Sequence, residues 1–165
     1  MKELSHLFTR ETPRQIILED FKIDLPITGG WGYNFESACV IDKNDPIVNQ
    51  TIPFNVVSIE YIFVEKRIYE EMIIFREANE KFSGIRWDLE KQELVFQNEK
   101  PYDKLTFKVV GFSDEVWDEL TRRFEEIKRS GKLELMDELK AYRESKAYRF
   151  TKEFYFDISS FYSAS

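Results

Sequence analysis

From Ile85 to Ile158 the spacing of apolar residues runs at two, then at three to four, then at two again. A chain patterned this way does not read as a regular alternation of parallel strands and helices. Ile85-Arg86-Trp87-Asp88-Leu89, Leu94-Val95-Phe96 and Leu105-Thr106-Phe107-Lys108-Val109 predict three antiparallel strands, separated by the polar segments 90–93 and 97–104. Ser113 followed by Asp114 and Glu115 predicts a helix N-terminus. Val116, Trp117, Leu120, Phe124 and Ile127 then form its apolar stripe, with a stop near Ser130-Gly131. A second helix is expected from Leu133 to Arg143 with Leu135, Met136 and Leu139 inward. Tyr148, Phe150, Phe154, Phe156 and Ile158 alternate as a last strand, with Tyr155 on its opposite face.

The first half is less regular. Ile17 to Leu25 alternates apolar and polar residues, with a break of phase at Leu18-Glu19, and predicts a half-buried strand ended by Pro26. Gly29, Gly30 and Gly32 place half of the six glycines within four positions and mark a tight turn. Ala38 to Ile41 predicts a second strand forming a hairpin-like unit with the first, and residues 47–55 read as loop. Val57, Tyr61, Val64, Ile68, Met72 and Phe75 recur at helical spacing, with Glu65, Lys66, Arg67, Glu70 and Glu71 between them. The β-branched and aromatic residues of 56–63 leave open a strand followed by a shorter helix. The expected fold is α+β: one domain over 1–165, with a mainly antiparallel sheet and helices packed on one face.

Chemistry is limited by what is scarce. The 165 residues include one histidine, His6, and one cysteine, Cys39, and these two residue types supply most general bases, soft metal ligands and activated nucleophiles. Cys39 lies in an apolar run and reads as a small core residue. With 31 acids and 24 bases the net charge is -7, spread along the chain. Such a field repels a phosphate backbone and attracts a basic protein. The carboxy-terminal aromatics lack the basic surroundings that base stacking needs. No apolar run is long enough to span a membrane, and the start MKELSHLFTRETPRQ has no signal-peptide core. The expectation is a cytoplasmic protein with no cofactor, no metal, no nucleic acid and no membrane as partner.

Two local strings invite a binding role. Gly29-Gly30-Trp31-Gly32-Tyr33 fails as a phosphate loop, because Phe35 stands where a last glycine would fall and no lysine follows before Lys43. It reads as a tight turn projecting Trp31 and Tyr33 onto the sheet, or as a recognition loop in which those rings are contact anchors. Asp42, Asn44 and Asp45 open like a calcium loop, but Pro46, Ile47 and Pro53 occupy positions that would need ligands and a glycine. The segment is read as a turn, and Asp42 and Asp45 join Trp31 and Tyr33 as candidate partner contacts. The adjacent acids Glu70-Glu71, Asp114-Glu115 and Glu125-Glu126 are unremarkable in a chain one third charged, and no catalytic residue is assigned.

The strings ITGGWGY, SACVIDKND and IEYIFVEKRIYEE, within residues 25–112, resemble a family of small uncharacterised bacterial proteins. Some apparent relatives of that family suggest immunity proteins of polymorphic or contact-dependent toxin systems. The resemblance implies a non-enzymatic interaction module that neutralises a basic toxin by covering its active site. The alternative is a ligand-binding or weakly enzymatic α+β domain with an aromatic-lined pocket. A deep cavity with converging carboxylates would favour the latter, and a filled core under an acidic face the former.

Overall fold

The computed structural model describes residues 4–49 and 53–163. Helix α1 (Pro13–Phe21) stands where the alternation of 17–25 predicts a strand. The Thr12 side chain accepts the N–H of Gln15, and Pro13 supplies a preset first-turn φ. Pro13 and Ile17, four apart, form the buried stripe, and the helix stops at Lys22, which is left-handed with φ 59°. The phase break at Leu18-Glu19 was the trace of this helical period in the sequence.

Strands β1 (Ile27–Gly29) and β2 (Cys39–Ile41) pair antiparallel around the glycine turn. A 3₁₀ turn, Pro46–Asn49, opens the segment read as loop, of which residues 50–52 lie outside the described residues. Helix α2 (Val56–Tyr69) is capped by the Asn55 side chain and runs on as a π-helical turn, Glu70–Ile74. The helix of 56–75 therefore forms, and the alternative strand over 56–63 does not. Its buried side differs from the one predicted. Val57, Tyr61 and Phe75 are exposed, whereas Lys66, Arg67, Glu70 and Glu71 are buried beside Ile59, Phe63, Val64, Ile68 and Met72.

The expected three-strand meander is a two-strand hairpin. Strand β3 (Phe82–Gln97) joins the first two segments, and β4 (Lys100–Ser113) is the third. Glu90 is the extra residue of a bulge between Leu89 and Lys91, so the polar stretch 90–93 continues the strand instead of ending it. The turn is made by Asn98 and Glu99, both left-handed at φ 52° and 67°, as a two-residue hairpin connection requires. Helix α3 (Asp114–Ser130) begins at the Ser113 cap and ends at left-handed Gly131, as predicted, although Phe124 faces solvent. After a 3₁₀ turn, Leu133–Leu135, come α4 (Met136–Lys146) and β5 (Tyr148–Asp157).

The described residues form an α+β fold with four helices and a five-stranded open sheet in the order β1-β2-β5-β4-β3. Three pairings are antiparallel, but β5 inserts beside β2 in parallel, Cys39 opposite Phe156, so the sheet is mixed. Leu105, Phe107 and Val109 of β4 belong to the large core with Ile17, Phe63, Val64, Ile68, Phe154 and Phe156. Val110 and Phe112 belong to a second core with Leu120, Ile127 and Leu139. Alternate residues of a strand point to opposite faces. Leu105, Phe107 and Val109 therefore lie on one face of β4 and Val110 and Phe112 on the other, with residues of α1 and α2 joining the first core and residues of α3 and α4 the second. Among the described residues no helix is long and apolar enough to cross a membrane.

Candidate functional site

The glycine turn and α2 meet at Arg67, which is 1% exposed. Its Nη1 donates to the carbonyls of Trp31 and Gly32, each at 3.2 Å, and its Nε donates to Glu71 Oε1 at 3.1 Å. The guanidinium carbon lies 4.0 Å from the Tyr33 ring centre and 3.9 Å from that of Phe154, so aromatic faces replace water around the charge. Glu71 Oε2 lies 2.7 Å from Lys152 Nζ. One position earlier, Lys66 holds Asp20 and Glu70, both at 2.6 Å. In the π turn, Phe75 N–H donates to Glu70 O. The wider turn changes the angular step along the helix just where both glutamates point inward.

Burial works against the charged forms of Arg67 and Lys152 and lowers both, with the Glu71 carboxylate opposing it. Tyr33 is pushed up, first by burial and then by Glu71, so its hydroxyl stays neutral. That hydroxyl accepts the N–H of Leu7 at 2.9 Å, and the His6 ring stacks on Tyr33 at 3.8 Å. Burial, and secondarily Glu60, raises the Cys39 thiol well above its ordinary range. The Cys39 thiol and the Tyr33 hydroxyl are thereby held in the neutral form that suits packing.

Of the four candidate contacts, Trp31 is buried, with its Nε1 donating to Thr9 Oγ1 at 3.1 Å, and Tyr33 is half-buried against Arg67. Asp42 accepts the N–H of Asn44, closing an Asx turn. Asp45 accepts the N–H of Ile47 and meets Arg14 Nη1 at 2.6 Å, while Arg14 Nε holds Asp24 at 2.8 Å. Hydrogen bonding from Arg14 keeps the Asp45 carboxyl below its usual range. The structure thus gathers Trp31 and Tyr33 at Arg67, and employs Asp42 and Asp45 in a separate turn anchored to α1. Among the described residues no three His, Cys, Asp or Glu side chains gather in a way that could hold a metal ion.

A surface with unsatisfied apolar area lies on the other flank of α2. Tyr61, Glu65 and Tyr69 recur every four residues along it, facing the edge strand β3. Tyr61 meets Phe107 edge to face at 6.1 Å and Tyr69 meets Trp87 at 5.6 Å. Between these contacts opens a cleft of about 360 Å³ lined by Tyr61, Ile62, Glu65, Trp87, Asp88, Leu89 and Phe107. Tyr61 is 46% and Leu89 40% exposed, and both charged residues lining the cleft are acids. Sequence reading missed this site because it assigned Tyr61 to the core. The four-residue Tyr-Glu-Tyr spacing was the available signal. No protein-family model, curated protein or solved structure matches this chain.

Proposed function

We propose that this protein is a non-enzymatic interaction module that binds a basic protein partner through an acidic, aromatic surface, in the manner of an immunity protein covering a toxin's active site. The observation that carries this reading is the α2–β3 cleft, where exposed Tyr61 and Leu89 lie beside half-buried Trp87 with only Glu65 and Asp88 as charged lining. Rings of this kind anchor interfaces, and acids around them steer a cationic partner on a chain whose net charge is -7.

The competing reading, a ligand pocket with catalytic carboxylates, has less support. Glu60 and Asp103 do lie together, but at 2% and 8% exposure they are closed to a substrate. The test is to recover protein partners by pull-down from the native host and measure association and dissociation rates between about 0.05 and 0.5 M salt. Over that range the screening length falls from above to below about 10 Å. Association should slow markedly and dissociation much less. A salt-independent association rate, or turnover of a small substrate by the purified protein alone, would overturn the reading.

A further inference from the structure

The α2–β3 cleft lies beside a stretch of unpaired backbone. β3 ends the sheet, and among the described residues no strand pairs with its outer side. From Arg86 to Leu89 it runs in regular register against Val110 to Phe107, between one irregularity after Ser83 and the bulge at Glu90. Three of these four residues, Trp87, Asp88 and Leu89, line the cleft. Trp87 and Leu89, opposite Val109 and Phe107, share the face on which α2 lies. An edge strand with free N–H and C=O groups beside a helix has the geometry in which extended peptides add to a sheet.

We propose that β3 takes up a basic, extended segment of a partner protein as an added strand, with alternate apolar side chains of that segment seated in the cleft under α2. The inference rests on reading this face as the binding surface. From Tyr61 to Tyr69 the helix rises about 12 Å, and side chains on one face of a strand are about 6.8 Å apart. The cleft therefore takes about two inward residues. The partner's intervening side chains share the face of Asp88, where lysine or arginine reaches its carboxylate, and a basic residue at the next inward position reaches Glu65 beside the cleft. A second copy of β3 is the poorer occupant. Its regular run is cut short by the same bulge.

The probe is the acetylated, amidated peptide Lys-Val-Lys-Leu-Lys-Lys, which seats two apolar residues and turns its last lysine toward Glu65, compared with its Glu-for-Lys counterpart and with a version N-methylated at alternate residues. Binding is followed by backbone amide NMR of the whole protein and by Trp fluorescence. The basic peptide should shift amides confined to 86–89 and 61–65. Tyr61→Ser and Glu65→Lys should each weaken it about tenfold or more, and N-methylation should abolish binding by removing the donors that pair with the edge. Absence of binding, equal binding of the acidic peptide, tolerance of N-methylation, or dimerisation of the protein through β3 on raising its concentration would each overturn the inference. Suppose instead that a partner recovered from the host binds Tyr61→Ser and Glu65→Lys as it binds the wild type, with salt-dependent association. Strand addition here then fails while the interaction reading stands.

Discussion

Arg67 of α2 and Glu71, four positions on in the π-helical turn, meet at 3.1 Å with both side chains out of water. Removing one member of a buried pair leaves the other uncompensated, and the two members are not equivalent here. Glu71 also faces half-buried Lys152, so Glu71→Gln strands buried Arg67 and removes the partner of Lys152, whereas Arg67→Met leaves the carboxylate with Lys152. Chemical denaturation should show Glu71→Gln losing about 3 to 5 kcal/mol and Arg67→Met losing less. The reverse order would mean that the contacts of Arg67 with the glycine turn outweigh its charge pairing.

The glycine turn offers a graded series. Gly29 and Gly32 have φ of 85° and 80°, and a Cβ on Gly29 would lie 2.4 Å from the Ala38 carbonyl oxygen, against 3.1 Å from that of Tyr155 for Gly32. Both substitutions by Ala force a left-handed backbone on a residue that resists it, at about 1 kcal/mol or more. Gly29→Ala adds a backbone collision that cannot relax without moving β2. Thermal melts should rank Gly29→Ala below Gly32→Ala, and both below the wild type.

Trp31 and Tyr61 separate the two places where a partner contact can be sought. Trp31 is enclosed, so Trp31→Ala should cost about 3 to 5 kcal/mol of stability. Tyr61 is exposed, and Tyr61→Ser should change stability by about 1 kcal/mol at most while lowering affinity for a recovered partner. A folded Trp31→Phe variant that loses the partner while Tyr61→Ser keeps it would return the contact to the glycine turn.

Elements carrying their own end signals were legible in the sequence: α3 between Ser113 and Gly131, β5 by its even-numbered rings, β2 by its apolar run. Where a local signal competed with period, reading failed. The Thr12-Pro13 cap outranked an alternation over 17–25, and a bulge at Glu90 carried β3 through charges that look like a turn. The parallel seat of β5 beside β2 is a contact between residues more than a hundred positions apart, with no local trace. On α2 the helix was legible but its inward side was not. Burial of Lys66, Arg67, Glu70 and Glu71 depends on partners from α1, the glycine turn and β5 that only the assembled fold supplies.

Glu60 and Asp103 give the fold a dependence on pH opposite to that of most paired carboxylates. Burial, then the hydrogen bond to Asp103 and its charge, push Glu60 from 4.5 up to about 10. Gln92 Nε2 donates to both Asp103 oxygens, at 3.1 and 3.0 Å, and so holds that side chain in place beside Glu60. Between pH 4.5 and about 10 the folded chain holds a proton that the unfolded chain has released, so stability from this group falls as pH rises through that window. At about 1.4 kcal/mol per pH unit, the loss by pH 7 is up to roughly 3 kcal/mol. Glu60→Gln keeps a donor toward Asp103 and removes the titration. Unfolding free energies measured from pH 4.5 to 8 should therefore show the variant gaining on the wild type steadily as pH rises. Parallel curves would place the shared proton outside this pair.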